Sequence, residues 1–273
     1  MDFTGENGIN AAKARLLWTL AGLAFLLLVW EIAARMYGSG LLLPGPVLVF
    51  ASFTALLLSP RFFAALLASF VRVAAGIAIA VPLGLAAGIA AGLDRRIHAF
   101  LRPMFTVISA TPVISVILIA FLFLGAGRTP VFTAFLMVFP VMAANTLEGV
   151  KSTDSNLREL FTVFKMSRFE TLRFLFLPSL VPFIMAGLRS SLSLCWKVVV
   201  AAEVLVQPVG SLGAGMQQAR AHLATSELFA WTIGALCAAA LCQGVLTLVI
   251  KLCTRRTNGK RFVLERGAKG LAA

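Results

Sequence analysis

The sequence predicts an all-α membrane protein with six transmembrane helices. Two observations carry that expectation: the composition suits a chain dissolved in lipid, and the apolar residues fall in runs long enough to cross a bilayer. Of 273 residues, 60% are hydrophobic and only 13% charged. Soluble domains average about 45–50% apolar and about 25% charged residues. The apolar runs lie near 16–37, 63–92, 104–124, 131–150, 179–206 and 229–251, each long enough for the ~20 residues that a helical crossing requires. Open sheets are excluded, because no water at that depth satisfies their edges, and the runs are too long for barrel strands.

Taken in order, residues 1–15 read as a cytoplasmic tail with Lys13 and Arg15 ahead of the first run. That run reads as an uncleaved membrane helix rather than a secretion signal, because five more follow. The stretch 38–62 is apolar but broken by Pro44, Pro46 and Pro60, which predicts a turn and then a short helix at the outer interface. The second run places Gly76, Ala80, Gly84, Gly88 and Gly92 four positions apart, on one face where missing side chains admit another helix closely. That neighbour could belong to the same chain or to a second subunit. Pro112 is expected to bend the third run, and the short link 125–130 (GAGRTP) joins runs three and four as a tight outer hairpin. Residues 16–253 thus form one membrane domain, with a cytoplasmic loop at 151–177 and a basic cytoplasmic tail at 254–273.

The net charge is +13, and its distribution argues for a membrane rather than a nucleic acid. Seventeen of the 24 Lys and Arg fall on the side holding both termini; Arg35, Arg61, Arg128 and Arg220 fall on the other. The positive-inside rule then puts both termini in the cytoplasm. Cys195, Cys237, Cys242 and Cys253 form no CxxC pair and read as small core residues, not as metal ligands.

The loop 151–177 is unlike its surroundings, with Arg158, Glu159, Lys165, Arg168, Glu170 and Arg173 close together. Asp154 can cap a helix starting at Ser155, on which Leu157, Leu160, Phe161 and Phe164 share a stripe. That helix is expected to stop around Lys165 and Met166, where Ser167 and Glu170 form a capping box for a second helix. The second helix should run to Pro178, where the next span opens. Such a helix–turn–helix is too charged to span and too apolar for water; a cytoplasmic protein partner or the lipid headgroups would satisfy it.

The order Glu159-Leu160-Phe161, three residues, Lys165, nine residues, Leu175-Phe176-Leu177-Pro178 resembles the EAA loop of ABC-importer permeases, E-A-A-x3-G-x9-I-x-L-P. Trp30-Glu31, Leu43-Pro44 with Pro46, Ser69 to Gly76, Gly125-Ala126-Gly127, Gly187-Leu188-Arg189 and Ala201-Ala202-Glu203 are similar to the nitrate, sulfonate and taurine permease group. The resemblance runs from about Trp30 to Lys251. It implies the type I ABC importer permease fold in the bacterial inner membrane, working as a homodimer with a path between the copies. It further implies separate ATPase subunits that bind ATP and Mg, and an extracytoplasmic solute-binding protein. The ATPase-coupling residues would be Glu159, Leu160, Phe161, Phe164, Lys165 and Pro178, and the solute a small anion such as a sulfonate or nitrate-like compound. Three departures from the pattern stand out. Leu160 and Phe161 replace alanines, and Ile117-Leu118-Ile119 lacks a proline. Lys165 replaces a glycine, at roughly 1–2 kcal/mol if the turn is left-handed.

Charges inside a span face a cavity or a partner, which makes Arg72, Lys197 and Glu203 the candidates for a translocation path or gate. Arg189 and Glu203 share a stripe but lie roughly 21 Å apart along the helix, so Glu203 needs its cation from elsewhere, and Arg72 is the candidate. Their pair could be structural or could line the path. No G-x-x-x-x-G-K-[ST] is present; Gly259-Lys260 is followed by Arg261, so phosphate cradling by that route is absent. His98 and His222 have no nucleophile at suggestive spacing, so the chain reads as a transport subunit without a cofactor or an active site of its own. An ion-gradient-driven transporter and a non-transporting scaffold are the alternatives.

Overall fold

The computed structural model describes residues 5–38 and 42–270, with side chains at 14, 16–36, 38, 42–167 and 169–252. The cations expected to mark the cytoplasmic side at Lys13, Arg15, Arg168 and from Arg255 onward fall outside those side chains, as does Cys253. The described elements are α1 (Gly5–Tyr37), α2 (Pro46–Leu57), α3 (Pro60–Leu93), α4 (Arg95–Ala110), α5 (Val113–Lys151), α6 (Ser155–Val163), α7 (Arg168–Thr171), a π-helical turn (Leu172–Phe176), α8 (Leu177–Val206), α9 (Leu212–Ala221) and α10 (Thr225–Gly270). Among the described residues, five helices are long and apolar enough to cross a membrane.

One of the five, α5, is two helices meeting at Gly125, whose φ of 69° is a left-handed conformation that glycine adopts without a Cβ penalty. The chain reverses there. Val116 and Met137 share one packed cluster with Val198, yet a straight helix would hold them about 31 Å apart. Thr129 Oγ1 donates to the Gly125 carbonyl at 2.8 Å, closing the first turn of the second arm. The expected hairpin is therefore made at a single residue rather than across a six-residue link.

Two expectations need correction. The run 104–124 is not one helix: α4 ends at Ala110, and α5 starts after Thr111 (ψ 129°) and Pro112. A residue before proline is pushed toward extended backbone, so Pro112 breaks the run rather than bending it. Conversely, the helix expected to end at Pro178 runs on from α7 into α8. Proline cannot donate an amide and crowds the carbonyl four residues back. The π turn accommodates it, with the Leu177 N–H bonding the Leu172 carbonyl, a five-residue step. Beyond the last apolar run, α10 remains helical to Gly270.

The described residues form two compact bodies, those within 1–63 with 215–234 and those within 64–214 with 235–273. In the first, Trp30 anchors the turn after α1: its indole N–H donates to the Pro44 carbonyl at 3.1 Å and its ring stacks on Phe229 at 5.7 Å. Phe62 packs on Trp231, and Arg61 Nη2 donates to Gln218 Oε1. In the second body, the small-residue stripe of α3 meets the long arm of α5. A Cβ at Gly76, Gly84, Gly88 or Gly92 would meet Ala134, Met142, Thr146 or Val150 at 2.9, 2.7, 2.5 and 2.5 Å. That face is filled by this chain's own helix.

Candidate functional site

The polar centre of the larger body forms where α3, α8 and the start of α9 meet. Glu203 has no exposed surface. Arg72 Nη1 donates to its Oε1 at 2.8 Å, and Ser69 Oγ lies 2.7 Å from Oε2. The Gly213 N–H adds a bond to Oε2 at 3.3 Å, and Ser69 Oγ in turn accepts from the Leu212 N–H at 3.1 Å. The Arg72–Glu203 pair that span charges suggested is thus joined, and four donor or relay groups satisfy the carboxylate. Ser69 and Gly213 escaped sequence reasoning: a serine three residues before Arg72 on the same helix face was the available signal for the first. Gly213 has the tightest approach, since a Cβ there would overlap the Glu203 backbone.

Lys197 is different. It stands exposed on α8, in a stripe with Ala186, Arg189, Ser190, Ser193 and Ala201. Lys197 is also about 14 Å from the outer end of α8 at Val206 by helical rise, so it lies well inside the span. No ion pair is formed by Lys197 among the described residues. Exposed positions of α3 are instead Phe63, Leu67, Phe70, Val71, Ile79 and Leu83, and those of the first arm of α5 include Ile114, Leu118, Ile119, Leu122 and Phe123. Those faces suit acyl chains; the α8 stripe does not.

The loop from Asp154 to Thr171 takes the expected helix–turn–helix form. Asp154 accepts from the Asn156 N–H at 2.8 Å. Ser167 and Glu170 cap reciprocally, the Ser167 N–H donating to Glu170 Oε2 at 2.8 Å and the Glu170 N–H to Ser167 Oγ at 3.2 Å. Between them Lys165 adopts φ 51°, the left-handed residue of the turn. Glu159 is exposed, and Leu160, Val163 and Phe164 present 48%, 77% and 70% of their surface. Phe161 does not join them; it packs inward on Val150, Leu175, Phe176 and Leu180. Phe161 thus forms the inward edge of the α6 stripe, while Val163, which lies off the expected stripe, is exposed. Pro178 sits in the first turn of α8 and is exposed there.

Residues 80–259 match the family described as "Binding-protein-dependent transport system inner membrane component". The chain belongs to this family. Among similar proteins, the bicarbonate transport system permease protein CmpB of Synechococcus elongatus is 30% identical over 72% of this chain and 75% of its own. The nitrate import permease protein NrtB of Synechocystis is 32% identical over 69% and 71%, and the taurine transport system permease protein TauC of Escherichia coli is 31% identical over 78% and 79%. The protein is therefore a multi-pass inner-membrane permease component of an ABC importer, and its family works with a solute-binding protein and an ATPase. The ion-gradient and scaffold alternatives fall away. Of the permease motifs, Trp30 with Pro44 fixes the first body, while Ser69, Arg72 and Glu203 make the buried network of the second.

Proposed function

We propose that this permease passes a small anion along the exposed polar face of α8, between two copies of the chain. The observation that supports it is Lys197, a cation deep in a span, exposed on the single chain beside Ser190 and Ser193. A lysine at the centre of a bilayer costs about 2.5–3.5 kcal/mol on insertion scales, so this face is turned to water or to protein. A second copy related by a two-fold axis would close the stripe into a path, with Lys197 contributed from both sides and the apolar faces of α3 and α5 left to lipid. Relatives named for bicarbonate, nitrate and taurine make a small acid the reading for this chain too.

The remaining roles follow from the same reading. Both termini and the loop 155–171 lie in the cytoplasm, where Glu159, Leu160, Val163 and Phe164 dock on the ATPase subunit that binds ATP and Mg. The solute-binding protein delivers from the opposite side. Lys165 sets the turn between the two short helices, and the Arg72–Glu203 pair braces the outer ends of α3 and α8 rather than touching the solute.

The test is uptake of labelled nitrate, bicarbonate, taurine and an alkyl sulfonate by cells that depend on this permease. Removing one charge-assisted contact is worth roughly tenfold or more, so Lys197→Gln should cut uptake of the cognate anion by that factor, with Lys197→Arg retaining most of it. A Lys197→Gln chain with undiminished uptake, or a cognate solute that is cationic, would refute the proposal.

A further inference from the structure

A cavity of about 600 Å³ opens where the last turn of α3, the start of α4, the end of α5 and the coupling helix α6 converge, and its polar lining is basic throughout: Arg95, His98, Lys151 and Arg158. Among the described residues no carboxylate lines it. Of the acids near these cations in sequence, Asp94 caps α4 by accepting from the Arg96 N–H at 2.7 Å, Asp154 caps α6, and neither Glu148 nor the exposed Glu159 is part of the lining. Neither Arg95, Lys151 nor Arg158 forms an ion pair among the described residues. Arg158 lies over the Phe176 ring at 5.2 Å, which fixes its stem while leaving its N–H groups free to bond. Like charges gathered from three helices repel one another, and the arrangement is relieved by a polyvalent anion between them. Guanidinium groups offer paired donors that match phosphate oxygens. The volume is far more than the ~30 Å³ share of one water and accommodates a phosphate together with its substituents.

We propose that this cavity binds a phosphate group, which ties α6 to the ends of α3, α4 and α5. Two sources carry that chemistry: the headgroup of an anionic phospholipid and a free phosphate-bearing anion. The binding stands on the cavity alone; only its consequence, a stiffer platform for the ATPase, rests on the docking role of α6.

The test uses the full chain in phosphatidylcholine nanodiscs and follows its thermal unfolding in two arms. One arm replaces part of the lipid with phosphatidylglycerol; the other adds inorganic pyrophosphate to the neutral nanodiscs. A stabilisation confined to the first arm assigns a lipid headgroup, and one in the second arm assigns a free phosphate; each supports the proposal. Arg95→Gln, Lys151→Gln and Arg158→Gln, made singly so that each chain still folds, should each weaken the apparent affinity by roughly tenfold. Arg128→Gln and Arg220→Gln, remote in sequence from the cavity, should leave it unchanged. No stabilisation in either arm overturns the proposal, as does a stabilisation that the three variants keep or that Arg128→Gln and Arg220→Gln lose equally. A stabilisation seen only when the ATPase subunit is added would assign the cavity to a protein carboxylate and overturn it as well.

Discussion

Removing Arg72 should expose how much of the permease hangs on one buried carboxylate. In Arg72→Met, Glu203 keeps the Ser69 hydroxyl and the Gly213 N–H but loses its 2.8 Å charge-assisted bond. Truncating one member of a buried pair costs about 3–5 kcal/mol, because the other charge stays behind uncompensated. The two surviving bonds put Arg72→Met at the lower end, about 3 kcal/mol. Glu203→Met strands three partners instead. Arg72 is still 16% exposed and can turn to a polar surface, but the Gly213 N–H and the Ser69 hydroxyl each lose an acceptor at about 1–3 kcal/mol. With both charges gone, no ion is left buried, so the double variant should lose at least ~1 kcal/mol less than the sum of the singles. The assay is unfolding of the purified chain by dodecyl sulfate in mixed micelles, followed by tryptophan fluorescence. Singles that add to within about 0.5 kcal/mol in the double would refute the reasoning. A charge swap is a poorer test, because an arginine at 203 would point donors at the Gly213 N–H.

Three further outcomes follow from the geometry. Gly88→Val places side-chain atoms where Thr146 and the Ala143 carbonyl already stand, and overpacking of this kind costs about 1–3 kcal/mol in the same unfolding assay; Gly22→Val, with nothing within 4 Å, should change little, and equal effects at both sites would contradict the packing. Lys165→Gly should relieve part of the roughly 1–2 kcal/mol of left-handed strain and slow amide exchange across 160–170; faster exchange would show that the lysine side chain stabilises the turn. Glu159→Arg, or Phe164→Asp, should abolish co-purification of the ATPase from native membranes while leaving unfolding unchanged, whereas Phe161→Ala should cost up to about 3 kcal/mol of stability. A Phe161→Ala chain as stable as the parent would return that residue to the exposed face.

Hydropathy found the apolar spans apart from the run 104–124, and charges within spans found the Arg72–Glu203 pair, because a bilayer makes both costly to misplace. Local chemistry was equally readable in the loop, where Asp154, Ser167 and Glu170 cap the helices that their spacing implies. Prolines were read less well. Pro112 breaks a run and Pro178 does not, since the outcome depends on whether a π turn can take up the lost bond at that site. The inward turn of Phe161 was also hidden: periodicity defines a stripe but not which edge meets Val150 and Leu180. The basic cavity could not be read at all, because Arg95, Lys151 and Arg158 lie on separate helices whose ends only the fold brings together.

Water access along α8 tests the central claim most directly. In a chain freed of its own cysteines, Ser193→Cys, Lys197→Cys, Leu67→Cys and Leu118→Cys would each be exposed to a charged, membrane-impermeant thiol reagent in assembled transporter. The account predicts rapid labelling at 193 and 197, slowed by the transported anion, and none at 67 and 118. Unreactive cysteines at 193 and 197 through the whole ATP cycle would mean that this face is sealed against protein or lipid, and that the solute travels elsewhere.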